Sequence, residues 1–185
     1  MRMDVNDERG FTLIELMMVV GLMGVMFAMA AMVGPSFVHH AKAEGGIEQV
    51  LQILRVARET AISQRRNVEV RFVGNDGIQL VRQNLPTGTT VLSTMVLENR
   101  VQFQLVSGVP DTPDAFGNAS ATAFGPTGNA LFTSEGTFVD NNGDVLNGTI
   151  FLAIPGQDNS SRAVTVFGTT ALLRAWHWNG SRWVD

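Results

Sequence analysis

The 185-residue chain has no cysteine, only three histidines, and charged side chains at just 16% of its positions. The missing thiols exclude disulfides, thiolate metal sites and a cysteine nucleophile together. They leave the compartment open, because an oxidising exterior permits disulfides without requiring them. A formal charge of -4 and a pI near 5.3 provide no global basic field to hold nucleic acid or an anionic membrane surface. His39, His40 and His177 are the whole stock of imidazole. The first two are adjacent and diverge on a helix, while His177 stands between two tryptophans with no carboxylate pair to orient it. No nucleophile elbow, phosphate loop or metal-spaced histidine pattern occurs. The residues therefore point away from an enzyme, a metal or a cofactor. The length allows one ordinary domain plus an appendage.

What is abundant is apolar sequence at the front. In RGFTLIELMMVVGLMGVMFAMAAMVG, residues 9–34, the 23 residues from Phe11 to Val33 hold no Lys or Arg. As a helix they span roughly 34 Å, enough for a bilayer core. The run nonetheless contains Glu15, and an acidic side chain at mid-bilayer costs on the order of 3 kcal/mol. Arg2 and Arg9 lie ahead of the run and only Lys42 follows closely, a bias that leaves the N-terminus cytoplasmic.

Three readings of this segment compete. A secretory signal could end at Ala28-Met29-Ala30, although its core should be short and free of Glu15. A plain anchor explains the length but offers Glu15 only a helix-dipole interaction of under about 1 kcal/mol. Cleavage between Gly10 and Phe11 would create an α-amino group, of ordinary pKa about 8, within a helical turn or so of Glu15. If that amine belongs to an adjacent subunit, the buried acid sets the axial register of one helix against another.

Gly10-Phe11-Thr12-Leu13-Ile14-Glu15-Leu16 resembles the prepilin motif of type IV pilins and type II secretion pseudopilins residue for residue. The resemblance implies that a prepilin peptidase cuts after Gly10 and that the Phe11 amine is methylated. Glu15 then serves assembly with other pilins or pseudopilins at an inner-membrane platform. It also implies a single-pass protein with a cytoplasmic leader and a periplasmic head. Loss of residues 1–10 removes two basic and three acidic side chains and leaves a balance of -3.

Gly34-Pro35 is expected to kink or interrupt the helix, and Gly45-Gly46 to add a second weak point. Beyond them, Ile47, Val50, Leu54, Ala57 and Ala61 form a 3,4-spaced stripe widened by Leu51 and Ile62. That is an amphipathic helix of about five turns, fit to pack on a sheet of its own chain. NVEVRFV, the turn Asn75-Asp76-Gly77 and IQLVRQ predict a hairpin. Further strands are expected in TVLSTMVL, RVQFQLV, ALFTS, GTIFLAIP, RAVTVFG and ALLRAWHW, with a long loop between Gly108 and Thr122. The division expected is a cleaved leader (1–10), a membrane helix (11–34), a helical stalk with the amphipathic helix (35–66) and a β-rich head (67–185). A long helix on an antiparallel sheet is the α+β pilin-like fold. LQILRVARETAISQRRNVEVRF, FGPTGNALF and RAVTVFGTTALLRAW resemble the GspH/FimT family of minor pseudopilins more narrowly.

Three distal stretches carry candidate chemistry. DNNGD, residues 140–144, clusters oxygen ligands, but its glycine is fourth where an EF-hand loop needs it sixth, and an Asn-Gly turn explains it. In RAWHWNGSRW, Arg174, Trp176 and Trp178 share a strand face, Asn179-Gly180 supplies a two-residue turn, and Trp183 lies on the return. These four residues are either a core with an arginine-aromatic stack or a subunit-contact patch. DNA-uptake pilins of the FimT type carry a Gly-Arg-x-Arg run near Gly168–Arg174. Here the first arginine is missing and the chain is acidic, which argues against the alternative of DNA binding. Arg65, Arg66, Arg71 and Arg82 remain a basic patch that solvation alone would explain.

Overall fold

The computed structural model describes residues 11–124 and 130–185, with the side chains at 32–40 and 158 outside that description. Gly10 and the rest of the expected leader, residues 125–129 within FGPTGNALF, and the His39 and His40 side chains thus lie outside the described residues. The chain divides into two compact units, Met1–Val38 and His39–Asp185.

Helix α1 (Leu13–Gln64) starts in the first unit and ends in the second. Its Leu13–Ala31 stretch has mean hydropathy 2.2, is long enough to cross a membrane, and is not buried at all within the chain. Leu13, Met18 and Phe27 among others are exposed, so burial of this surface must come from lipid or from other helices. The expected interruptions at Gly34-Pro35 and Gly45-Gly46 do not occur, since α1 runs through both. A proline removes one hydrogen bond, which turns on either side of it can bridge. At Gly46 the reason is packing. A Cβ there would come within 2.7 Å of Val101 Cγ1, whereas one at Gly45 would meet nothing. The second glycine lets the helix approach its neighbour closely and is not a weak point.

The second unit holds two antiparallel sheets. Strands β1 (Val68–Val73), β2 (Gly77–Gln83), β3 (Thr89–Val96), β6 (Ala130–Phe132) and β7 (Phe138–Val139) form the first, in the order β3-β2-β1-β6-β7. The second has the order β11-β10-β9-β8-β4, from β4 (Gln102–Phe103), β8 (Gly148–Ile154), β9 (Gln157–Phe167), β10 (Leu172–Trp178) and β11 (Trp183–Val184). A short β5 (Thr122–Ala123) also pairs with β8. The β1–β2 hairpin forms as expected, with the left-handed turn position taken by Gly74. RVQFQLV contributes only the two residues of β4, and β5 and β7 escape the sequence reading, because two residues carry no alternation to detect.

Ile47, Val50, Leu54, Ala57 and Ala61 are fully buried, as their spacing requires. They share one core with Val68, Val70, Ile78 and Leu80 of the first sheet and Ile150, Leu152, Val164 and Val166 of the second. Each larger aliphatic side chain contributes about 1.5–3 kcal/mol by leaving water. Ile62 stays half exposed at the margin of this stripe. A smaller cluster of Val109, Phe151, Ala163, Trp176 and Trp183 gathers Leu105, Val106 and Trp178 around it. Strand alternation explains two clusters. On β9, Val164 and Val166 belong to the first and Ala163 to the second.

Candidate assembly site

At the start of α1 the Glu15 carboxylate accepts hydrogen bonds from the Thr12 N–H and the Thr12 hydroxyl, both at 3.1 Å. The Glu15 N–H donates to Thr12 Oγ1 at 3.3 Å. This reciprocal pattern is a capping box, which occupies backbone donors that the first helical turn leaves open. The Thr-x-x-Glu spacing at 12–15 is the sequence signature of this cap, and it gives Thr12 a role that the charge of Glu15 alone does not indicate. Glu15 thus has a local partner on its own chain, and a carboxylate at this end also complements the helix dipole. Phe11, 86% exposed, precedes the cap.

The terminal hairpin pairs Trp178 with Trp183 and His177 with Val184. The connection is four residues long rather than two. Asn179 N–H donates to the Arg182 carbonyl, and Asn179 Oδ1 accepts from the N–H groups of Ser181 and Arg182. Trp176 and Trp183, each 8% exposed, point inward, and Trp178 is half buried with its ring 5.5 Å from that of Trp183. Trp183 Nε1–H donates to the Pro110 carbonyl at 2.9 Å. The arginine-aromatic stack exists, but Arg174 lies over Phe167, 5.0 Å from its centroid, and not over a tryptophan. Of the four candidate contact residues, Arg174 keeps the most exposed side chain, at 45%.

Asp114, in the long loop, organises this region. Its buried carboxylate accepts from Thr165 Oγ1 at 2.6 Å, Arg174 Nη1 at 3.0 Å and Trp176 Nε1 at 3.2 Å. Nothing in the sequence pairs position 114 with 165, 174 and 176, because the link exists only once β9 and β10 lie side by side.

No carboxylate pair was expected beside His177, and a single carboxylate from a distant helix reaches it. Glu44 on α1 lies 3.5 Å from His177 Nε2 and 3.6 Å from Arg162 Nε. His177 and Arg162 are in register on β10 and β9, so both face α1. Arg162 is buried, its Nε has no hydrogen-bond partner among the described residues, and its Nη1 donates to the Ser161 carbonyl. Burial lowers the Arg162 guanidinium below its ordinary pKa, with Glu44 opposing that shift. One carboxylate serving a buried cation is a structural brace across helix and sheet.

In DNNGD the Asp140 carboxylate accepts the N–H groups of Asn142 and Asp144. The stretch closes a turn between Val139 and Val145, which form a bridge. Of the basic patch, Arg71 pairs with Glu69 at 2.9 Å, and Arg66 and Arg82 line a polar cavity of about 540 Å³ with Gln64, Asn84 and Leu85.

Residues 5–31 match the prokaryotic N-terminal methylation motif, and residues 46–170 match the family of the type II transport protein GspH. The chain belongs to the GspH family. No curated protein matches it. The minor pseudopilin EpsH from the type 2 secretion system of Vibrio cholerae is 16% identical, with a TM-score of 0.49 over 74% of this chain and 97% of that one. The type IV minor pilin FimU of Pseudomonas aeruginosa PAO1 is 14% identical, with a TM-score of 0.50 over 80% of this chain and 97% of that one. The latter likeness shows the pilin-like fold. As a GspH-family protein carrying a methylation motif, the chain is a structural subunit of the minor pseudopilin and pilin class, processed at its N-terminus and assembled with other pilins. The family consists of structural pseudopilins, not known enzymes, and the apolar helix is its means of membrane anchoring.

Proposed function

We propose that prepilin peptidase cleaves this minor pseudopilin between Gly10 and Phe11, that the new Phe11 amine is methylated, and that Glu15 pairs with the Phe11 amine of a neighbouring subunit. The observation that carries the reading is the Thr12–Glu15 capping box at the head of an unburied apolar helix. Among the described residues the carboxylate has only the neutral Thr12 groups as partners, so a cation arriving from a second helix gains a full charge interaction in a medium of low dielectric. Before assembly the protein spans the inner membrane once, with the N-terminus cytoplasmic and the head periplasmic. Its partners are prepilin peptidase, other pseudopilins or pilins, the inner-membrane assembly platform and lipid. Of the four candidate contact residues, Arg174 offers the most exposed side chain for subunit contact, with Trp178 half buried and Trp176 and Trp183 as packed support.

Mass spectrometry of the native protein tests the processing. A fragment beginning at methylated Phe11 supports it, and one beginning near Ala31 excludes it. Glu15→Ala should still be inserted and cleaved but should fail to co-assemble. Normal incorporation of that variant into filaments would refute the pairing.

A further inference from the structure

Arg71, Arg174 and Arg162 each face a carboxylate of their own chain, at 2.9 Å from Glu69, 3.0 Å from Asp114 and 3.6 Å from Glu44. Arg66 and Arg82 do not. Both are half-buried along the cavity of about 540 Å³ at the end of α1, no carboxylate lines it, and neither arginine is ion-paired among the described residues. Drawing a cation partly out of water without a counter-charge costs free energy.

Arg82 is nevertheless built into place. Its Nε–H donates to Asn84 Oδ1 at 3.1 Å and its Nη1 to Gln64 Oε1 at 2.9 Å, while Asn84 Nδ2 donates to Thr90 Oγ1 at 3.0 Å and is fixed in turn. The partners of the guanidinium are neutral amides, which orient it without cancelling its charge. Among the described residues its Nη2 bonds to nothing. Arg66 Nη1 donates to the Arg65 carbonyl at 2.9 Å and adds a second guanidinium to the same cavity. Capping of α1 does not account for the pair, because the Ile62 and Ala61 carbonyls are taken by the Arg65 and Arg66 backbone N–H groups. Leu85, 71% exposed, completes the lining.

A guanidinium held by its neighbours with donors unspent is a receptor for an oxyanion, through short charge-assisted bonds. Two such groups on an acidic chain suit a single carboxylate, whereas a phosphate backbone would need a row of cations. An apolar side chain beside the pair helps to exclude water, as around the energetic centre of many interfaces. We propose that this cavity seats an Asp or Glu side chain from an adjacent subunit of the pilin class, held by Arg82 with Arg66 in support. The inference rests on the chain's assembly with other pilins and adds a point at which the head is gripped.

The test uses the full chain in its native assembly. Leu85 replaced by photoreactive benzoylphenylalanine should cross-link to a pilin-class subunit, with an Asp or Glu beside the linked residue by mass spectrometry. Arg82→Glu should lower that cross-link by about tenfold or more, with N-terminal processing unchanged. Replacing the partner's acid by Arg should restore the link to the Arg82→Glu chain, which a folding defect would not allow. A cross-link indifferent to Arg82→Glu, a linked segment without an acid, no link from a chain present in filaments, or a loss that the reversed partner does not restore would each overturn the proposal. Retention of duplex DNA that Arg82→Glu abolishes would overturn it too, by assigning the cavity to phosphate. A parent chain absent from filaments would overturn the assembly reading and this inference with it.

Discussion

Removing the Asp114 carboxylate should loosen the loop from the second sheet. Hydrogen bonds to a charged group are worth about 1.5–3 kcal/mol each, and Asp114 accepts three. They do not simply add. Trp176 Nε1 keeps its bond to Thr165 Oγ1 at 3.1 Å, and Arg174 is exposed enough to turn to water, which limits its share to at most about 1 kcal/mol. Asp114→Ala should therefore cost about 2–4 kcal/mol. Asp114→Asn keeps the shape but sets an NH₂ group among three donors, and should cost about 1–2 kcal/mol. For a head of this size each kcal/mol moves the midpoint by about 2–4 °C. Thermal unfolding of the full chain in detergent can be followed by tryptophan fluorescence, since all three tryptophans sit in or against the second cluster. A loss below about 0.5 kcal/mol for Asp114→Ala, or an Asn variant as stable as the parent, would refute the role assigned to this carboxylate.

Three further outcomes are expected in the same assay. Glu44→Ala strands the buried Arg162 charge and should destabilise by about 1–3 kcal/mol, while Arg162→Met removes that charge and should be near neutral. A comparable loss from both variants would contradict this. Gly45→Ala should stabilise by about 0.5–1 kcal/mol through helix propensity, whereas Gly46→Ala must displace Val101 and should lower the midpoint. At the end of α1, the Arg65 and Arg66 N–H groups bond to the Ile62 and Ala61 carbonyls with Arg65 at φ 49°, a Schellman closure that favours glycine. Arg65→Gly should raise stability by up to about 1 kcal/mol, and a fall in midpoint would count against strain there.

Much of the fold was readable because its signals are local. The stripe from Ile47 to Ala61 and the β1–β2 hairpin with its intervening turn are set by residues within a few positions of one another. The weak point inferred at Gly45-Gly46 failed for the opposite reason. A glycine reads as weakness until the distant Val101 is seen pressing against it. The tryptophan stretch was read correctly as a hairpin, yet core and contact patch stayed equivalent until Val109, Phe151 and the Pro110 carbonyl were placed around it.

By itself the sequence determined the membrane-length helix, the Phe11–Glu15 motif and the alternating strands, all of which depend on spacing along one chain. Only the tertiary structure decided that Asp114 gathers Thr165, Arg174 and Trp176, and that Glu44 braces Arg162 and His177. Those features join residues dozens of positions apart. Such contacts follow from which strands lie side by side, a choice made by burial of the whole core and not by any short stretch within it.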